Sequence, residues 1–300
     1  MRGKDFGQAV PPGQMAPERA AGFDPERRRA APPTLVADAL DAALAARAVQ
    51  TGRAALDVVD VGAGTGGFAV RLAALGHHVT VVDPSPDALA AARWRAAELG
   101  VTLTAVQGEA GDLAALVGEG AADLVVCHNV LEYVDSPAAA MAAIARVLRA
   151  GGTVSVLAAN VVAAVLQRAL AGRYDEARRL LDPRSPSAGG GNVPTVPAPA
   201  PGYGPGYAPG PAAAVTEHRR FTLPELTALI EEAGLRVGEA QGIRVFAGLL
   251  PGAGADPNAA DALRELEAAA AGYPALRDIA ARLHIVAFRG DDRPEAARGS

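Results

Sequence analysis

Residues 56–85 constrain the fold more than any other stretch. The run LDVVDV (56–61) reads as a buried strand. It leads into Gly62-Ala63-Gly64-Thr65-Gly66-Gly67, then a helical FAVRLAAL, then a second strand at 78–82 ending at Asp83. A strand, a glycine turn, a helix and a second strand make a βαβ unit, whose two strands lie parallel. The turn has a reason for its glycines: a ligand packed on backbone at a strand's C-terminal end leaves no room for side chains. Asp60 stands just before the turn, placed to accept a hydrogen bond from a cationic ligand's amino group. Asp83 ends the second strand, where an acid can take both hydroxyls of a ribose. A plain tight turn and a strand-end cap are the structural alternatives for these residues.

The same rhythm continues. The spacing predicts helices at 34–48, 86–99, 112–117 and 137–149, and strands at 102–107, 122–127 and 152–158. This is an α/β chain with a doubly wound, mostly parallel sheet. Residues 161–181 read as one or two helices with scattered arginines. Thr222-Leu-Pro-Glu225 reads as a capping box opening a helix that Gly234 stops. Strand 235–246, helix 258–271 and strand 283–288 then close the sheet as an antiparallel C-terminal portion. The expected organisation is an N-terminal arm (1–31), one domain (32–289) and a tail (290–300). Residues 183–216 are so rich in Pro, Gly and Ala that a mobile loop inside the domain is expected.

Composition excludes several classes. Half of the residues are hydrophobic (50%), but only 4% are aromatic, so the core is expected to rest on many small contacts. The net charge of −5 is unlike the broad basic face that grips long nucleic acid. Cys127 is the single cysteine, so no internal disulfide and no cysteine metal cluster can form. No second His or Cys lies at zinc-ligand spacing from His128, and no metal is expected. No run reaches the roughly 18 apolar residues of a membrane helix, and no signal-peptide core is visible. A cytoplasmic protein without a membrane partner is the expectation.

VVDVGAGTGGFAVRLAALGHHVTVVDPS (58–85) resembles the first two motifs of class I S-adenosylmethionine methyltransferases. The resemblance implies a Rossmann-like fold and S-adenosyl-L-methionine as cofactor. Two later turns fit the same site. Gly108-Glu109-Ala110-Gly111-Asp112 would flank the adenine, with Asp112 near its amine; the alternative is a loop with Asp112 as helix cap. His128-Asn129-Val130-Leu131-Glu132 would lie beside the methionine part, with a packed structural histidine as the alternative for His128.

Further segments resemble the tRNA 5-carboxymethoxyuridine methyltransferases in order and spacing. They are CHNVLEYVDSPAAAMAAIARVLRAGGTVSVLAAN, VLQRALAGRYDEARRLL, LIEEAGLRVGEAQGIRVFAGLL and LRELEAAAAGYPALRDIAARLHIVAF. That family esterifies the carboxyl of 5-carboxymethoxyuridine at the tRNA wobble position. The resemblance implies cofactor contacts at Gly62, Ala63, Asp83, Ala110, Gly111 and His128, and Asp60, Gly64 and Asp112 complete the expected cofactor site. It also implies an N-terminal arginine on the methionine carboxylate, for which Arg29 is the candidate and Arg28 the neighbour. The basic stretch common in that family is replaced here by DPRSPS and the Pro/Gly segment. Arg168, Arg173, Arg178, Arg179, Arg219 and Arg220 read either as a local basic rim or as solvated helix faces.

Methyl transfer from a sulfonium is an in-line displacement in which the protein mainly positions two reactants. A carboxylate acceptor is ionised at neutral pH and needs no general base, and the sequence offers no evident one. It does need a cation. Arg244, read as interrupting an apolar strand, is the candidate for the two-pronged contact, with an internal salt bridge as its alternative. Tyr133 and Tyr174 are candidates to stack on or bond a substrate base, with packing as the alternative for both. The acceptor is thus read as tRNA or a small molecule, with a non-catalytic cofactor-binding protein as a third reading.

Overall fold

The computed structural model describes residues 35–182, 218–249 and 257–290, with side chains of the last span described from Ala260. Arg28, Arg29, most of the expected tail and the 183–216 segment lie outside these residues.

Helix α1 (Leu35–Thr51) precedes β1 (Asp57–Val61), α2 (Gly67–Ala74), β2 (His78–Asp83), α3 (Pro86–Glu98) and β3 (Thr104–Gln107). A 3-10 turn (Ala110–Asp112) leads through α4 (Leu113–Val117) to β4 (Ala122–His128), α5 (Pro137–Val147) and β5 (Leu148–Ala159). Then come α6 (Val161–Leu170), α7 (Tyr174–Leu180), α8 (Leu223–Glu232), β6 (Leu235–Ile243), α9 (Pro257–Ala271), α10 (Pro274–Arg277) and β7 (Arg282–Arg289).

Local chemistry sets these boundaries. The side chains of Ser85, Ser136 and Asn160 cap α3, α5 and α6 by accepting backbone N–H bonds. Thr222 and Glu225 form the expected capping box of α8, and Gly234 follows at φ +80°.

The strands form one seven-stranded sheet in the order β3-β2-β1-β4-β5-β7-β6. β1 to β5 pair in parallel, and β7 runs antiparallel to both β5 and β6. The expected mostly parallel sheet with an antiparallel C-terminal portion is the observed fold. β4 has all seven of its residues buried, as a central strand covered on both faces must. One apolar layer joins Met141, Ile144, Leu226 and Ile230 to the sheet, and a second joins Leu40, Leu44, Leu72 and Leu89 to it. The strand order reverses between β1 and β4, and such a switch point opens a crevice at the strands' C-terminal ends.

The expected strand over 235–246 needs correction: β6 ends at Ile243. Arg244 takes φ +59°, a left-handed value that a strand cannot continue. Its carbonyl accepts from the N–H groups of Gly248 and Ala281, closing a turn.

Candidate functional site

The three glycines of the turn after β1 have different duties. All take left-handed φ: Gly62 +62°, Gly64 +53° and Gly66 +73°. A Cβ on Gly62 would stand 2.6 Å from Val130 Cγ2, and one on Gly66 would stand 2.8 Å from Ala92 Cβ. Those two glycines admit other parts of the protein. A Cβ on Gly64 would meet nothing within 4 Å. Of these three, only Gly64 leaves open space over the backbone.

Asp83 lies beside that space. Gly64 N–H donates to its Oδ2 and Ser85 N–H to its Oδ1, both at 2.9 Å. The buried carboxylate is thereby fixed in place, and each oxygen keeps lone-pair capacity for a hydroxyl. Asp60 is also buried, and its carboxylate accepts from Ala69 N–H. Burial, reinforced by the charge of Asp83, pushes Asp60 up to about 7. A cation placed against it would favour its ionised form.

The turn after β3 adjoins this cradle, since Gly108 N–H donates to the Asp83 carbonyl at 3.2 Å. Ala110 is buried, while Gly111 and Asp112 are exposed. Asp112 stands at the N-cap position of α4, without a side-chain cap hydrogen bond.

Beyond β4 the groups become richer than the sequence suggested. His128 is buried, with Nε2 2.8 Å from Ser155 Oγ and Phe68 edge-on at 5.0 Å between ring centroids. The same hydroxyl lies 2.8 Å from His284 Nε2. Asn129 takes φ +56°, and its side-chain oxygen accepts from Arg282. Glu132 is buried; its Oε1 accepts from Ala159 N–H at 2.7 Å and lies 3.8 Å from Arg282 Nη1. Its Oε2 and the His128 Nδ1 are buried without partners.

Asp60, Gly62, Ala63, Gly64, Asp83 and the 110–112 turn thus gather at the ends of β1 to β3, with His128 next to them on β4. Tyr133 is exposed, with its ring against His218 at 4.5 Å, and Tyr174 is exposed at the start of α7. Arg244 lies at the same C-terminal end of the strands but three strands from β4, about 14 Å away at the usual spacing. It is exposed on a turn rather than set in an apolar strand, so the burial cost that motivated it is absent. Ser155, Arg282 and His284 are neighbours of the His128–Glu132 turn that sequence reasoning did not bring forward. A polar residue at an inward position of an apolar strand was the available signal for Ser155 and His284.

The arginine rim is partly occupied. Arg168 and Arg173 lie 3.5 and 3.4 Å from Glu176, and Arg219 is buried with Nη1 donating to the Val134 carbonyl. Among the described residues no group of three His, Cys, Asp or Glu side chains could hold a metal, and no helix is long and apolar enough to cross a membrane.

Residues 59–156 match the family described as a methyltransferase domain. The chain is 39% identical over 103 residues to a ubiquinone biosynthesis O-methyltransferase of Aromatoleum aromaticum, covering 34% of this chain and 44% of that protein. It is 32% identical over 122 residues to the tRNA 5-carboxymethoxyuridine methyltransferase of Escherichia coli, covering 40% and 46%. The chain thus spans less than half the length of these relatives. In structure it is similar to a SAM-dependent methyltransferase from Methanosarcina mazei, with TM-score 0.51, 16% identity and coverage of 80% and 95%. It is equally similar to the cyclase SpnF, with TM-score 0.50, 19% identity and coverage of 85% and 81%. A fold shared by different chemistries leaves function to be argued from the site.

Proposed function

We propose that this chain, a third of which matches a methyltransferase domain, is an S-adenosylmethionine-dependent methyltransferase acting on an acceptor oxygen. The observation that carries the reading is the cradle at the switch point. Gly64 leaves space over its backbone, and Asp83 is held beside that space by two backbone N–H bonds.

The residues present fit the cofactor. Asp83 has acceptor capacity for two ribose hydroxyls, and Asp60 is a buried carboxylate suited to an ammonium group. Ala110, Gly111 and Asp112 would flank the adenine, with Gly62, Ala63 and His128 at the methionine end and Arg29 for its carboxylate. The cofactor supplies a methyl group activated on a sulfonium sulfur. The protein's work is then to orient the acceptor in line and to exclude water.

Two acceptors are consistent with oxygen transfer. The ordered segments resembling the wobble-uridine enzymes support a tRNA carboxyl, held by Arg244 with Tyr133 near the base, in a cytoplasmic setting. Three observations favour a small-molecule hydroxyl instead. Arg244 is exposed on a turn, Arg219 is buried on a backbone carbonyl, and one group of relatives is named for O-methylation in ubiquinone biosynthesis.

One assay separates the readings. Protein and labelled cofactor are given either undermethylated tRNA or catechol, and the product is treated with mild base. Label released from tRNA by base supports the carboxyl ester, and Arg244→Leu should then abolish most transfer. Base-stable label on catechol supports the hydroxyl reading, with Arg244→Leu near wild type. Absence of S-adenosylhomocysteine binding in calorimetry overturns the methyltransferase reading itself.

A further inference from the structure

His128 and His284 both lie opposite Leu157 of β5, one from β4 and one from β7. Ser155, two residues back along β5, points to the same face, and its hydroxyl bridges the two Nε2 atoms at 2.8 Å each. Among the described residues these are its only hydrogen-bond partners. A hydroxyl has one proton, so it donates to one ring and accepts from the other. While both rings are neutral they therefore hold opposite tautomers. Burial pushes His128 down to about 3, with His284 adding to the effect, and pushes His284 down to about 4, so both are neutral near pH 7. The outer nitrogen of the chain, His128 Nδ1, is buried without a partner at the C-terminal end of β4. A buried polar atom of that kind is costly unless a ligand satisfies it.

We propose that His128 Nδ1 accepts the proton of a hydroxyl methyl acceptor, with Ser155 and His284 relaying the charge inward. The proposal rests on the methyltransferase reading above and names its acceptor class. In the resting chain His128 Nε2–H donates to Ser155, and Ser155 donates to His284. As the acceptor oxygen bonds to the methyl carbon, the carbon–sulfur electron pair stays with sulfur. The acceptor's proton passes to His128 Nδ1, the Nε2 proton to Ser155 Oγ, and the Ser155 proton to His284 Nε2. His284 ends as the imidazolium and His128 as the neutral Nδ1–H tautomer. The positive charge thus rests two strands from β4, where the Glu239 carboxylate favours it. A weakly basic imidazole suffices, because a protonated ether is far more acidic than any imidazolium. His128 is the catalytic residue in this scheme; Ser155 and His284 are positioning residues.

The test reads tautomers rather than turnover. The full chain is labelled with 15N-histidine, and His128→Gln and His284→Gln assign the two rings by NMR. The expected spectrum has a bare Nδ1 on His128 and a bare Nε2 on His284. Catechol, added with S-adenosylhomocysteine, should shift the His128 Nδ1 signal. Ser155→Ala should abolish the opposed tautomers. A proton on His128 Nδ1 in the resting chain overturns the proposal. So does an Nδ1 signal unmoved by millimolar catechol with S-adenosylhomocysteine bound. Failure of S-adenosylhomocysteine to bind removes the methyltransferase reading instead, and the resting tautomers still decide whether His128 can accept a proton.

Discussion

Gly64 N–H donates to Asp83 Oδ2 at 2.9 Å, tying the turn after β1 to the end of β2. The bond joins the residue that leaves room for a ligand to the residue that would grip it. Asp83→Ala should weaken S-adenosylhomocysteine binding about 30- to 100-fold. That corresponds to ~2–2.7 kcal/mol in total for two hydroxyls losing a charged acceptor, less than the full value of two such bonds because water can replace the carboxylate. Asp83→Asn keeps one acceptor oxygen and should lose less. Calorimetry on both variants is the check, and unchanged affinity in Asp83→Ala removes Asp83 from the site.

The glycines of the same turn should separate folding from binding. Gly62→Ala adds a Cβ against Val130 at a left-handed φ, so its cost falls on stability, about 2–4 kcal/mol from clash and strain together. Gly64→Ala carries only the backbone strain, ~1–2 kcal/mol, but places its methyl in the open space beside Asp83. The larger loss of cofactor affinity, relative to stability, should belong to Gly64→Ala. Urea melts and calorimetry on the two variants decide it.

Much of this site was legible because backbone requirements show in residue type. A strand ending in glycines at 62, 64 and 66 and a second ending in Asp83 can be read without coordinates. The capping box at Thr222 and Glu225 was equally readable, since its two hydrogen bonds are local. The strand setting expected for Arg244 needed correction because a charge in an apolar run looks like a buried charge. Its left-handed turn depends on Glu267, 23 positions away, and on Ala281. The Ser155 bridge was invisible for the same reason: three strands distant in sequence bring its partners together.

Asp60 gives a pH signature. Its folded pKa, near 7, lies above the ordinary 3.8, so the folded chain holds this proton more tightly than the unfolded chain. This contribution to stability is present below pH ~4 and is lost as pH rises towards and through 7. Asp60→Asn removes that loss. It should be more stable than wild type at pH 8, by up to about 4 kcal/mol at 1.36 kcal/mol per unit, and the gap should close by pH 4. Binding should run the other way. An ammonium group prefers ionised Asp60, so cofactor affinity in wild type should rise between pH 6 and 8 and stay flat in Asp60→Asn. Equal stability of the two proteins at pH 8 would falsify the assignment.

Glu267 on α9 holds the three residues that follow Arg244. Its Oε2 accepts from Val245 N–H at 2.7 Å, and its Oε1 accepts from Phe246 and Ala247 N–H at 2.9 and 2.7 Å. Three successive amides of the turn after β6 are held by one carboxylate. Replacing it with Gln puts an NH2 group against at least one of these donors, and Ala leaves all three without that acceptor. Hydrogen bonds to charged groups contribute ~1.5–3 kcal/mol each, less where water can replace them. The clamp is half-buried, so Glu267→Ala should cost about 2–3 kcal/mol in total. The turn lies at the far edge of the sheet from the Asp83 cradle, so cofactor affinity should stay within about twofold. Acceptor binding tells the two functional readings apart. If Arg244 holds a carboxyl, Glu267→Ala should raise the KM for tRNA at least tenfold, in the same direction as Arg244→Leu should. If the acceptor is a hydroxyl served by His128, Glu267→Ala should leave the KM for catechol near wild type and lower only the melting temperature. Steady-state kinetics at a temperature where the variant remains folded, with both substrates, provides the comparison.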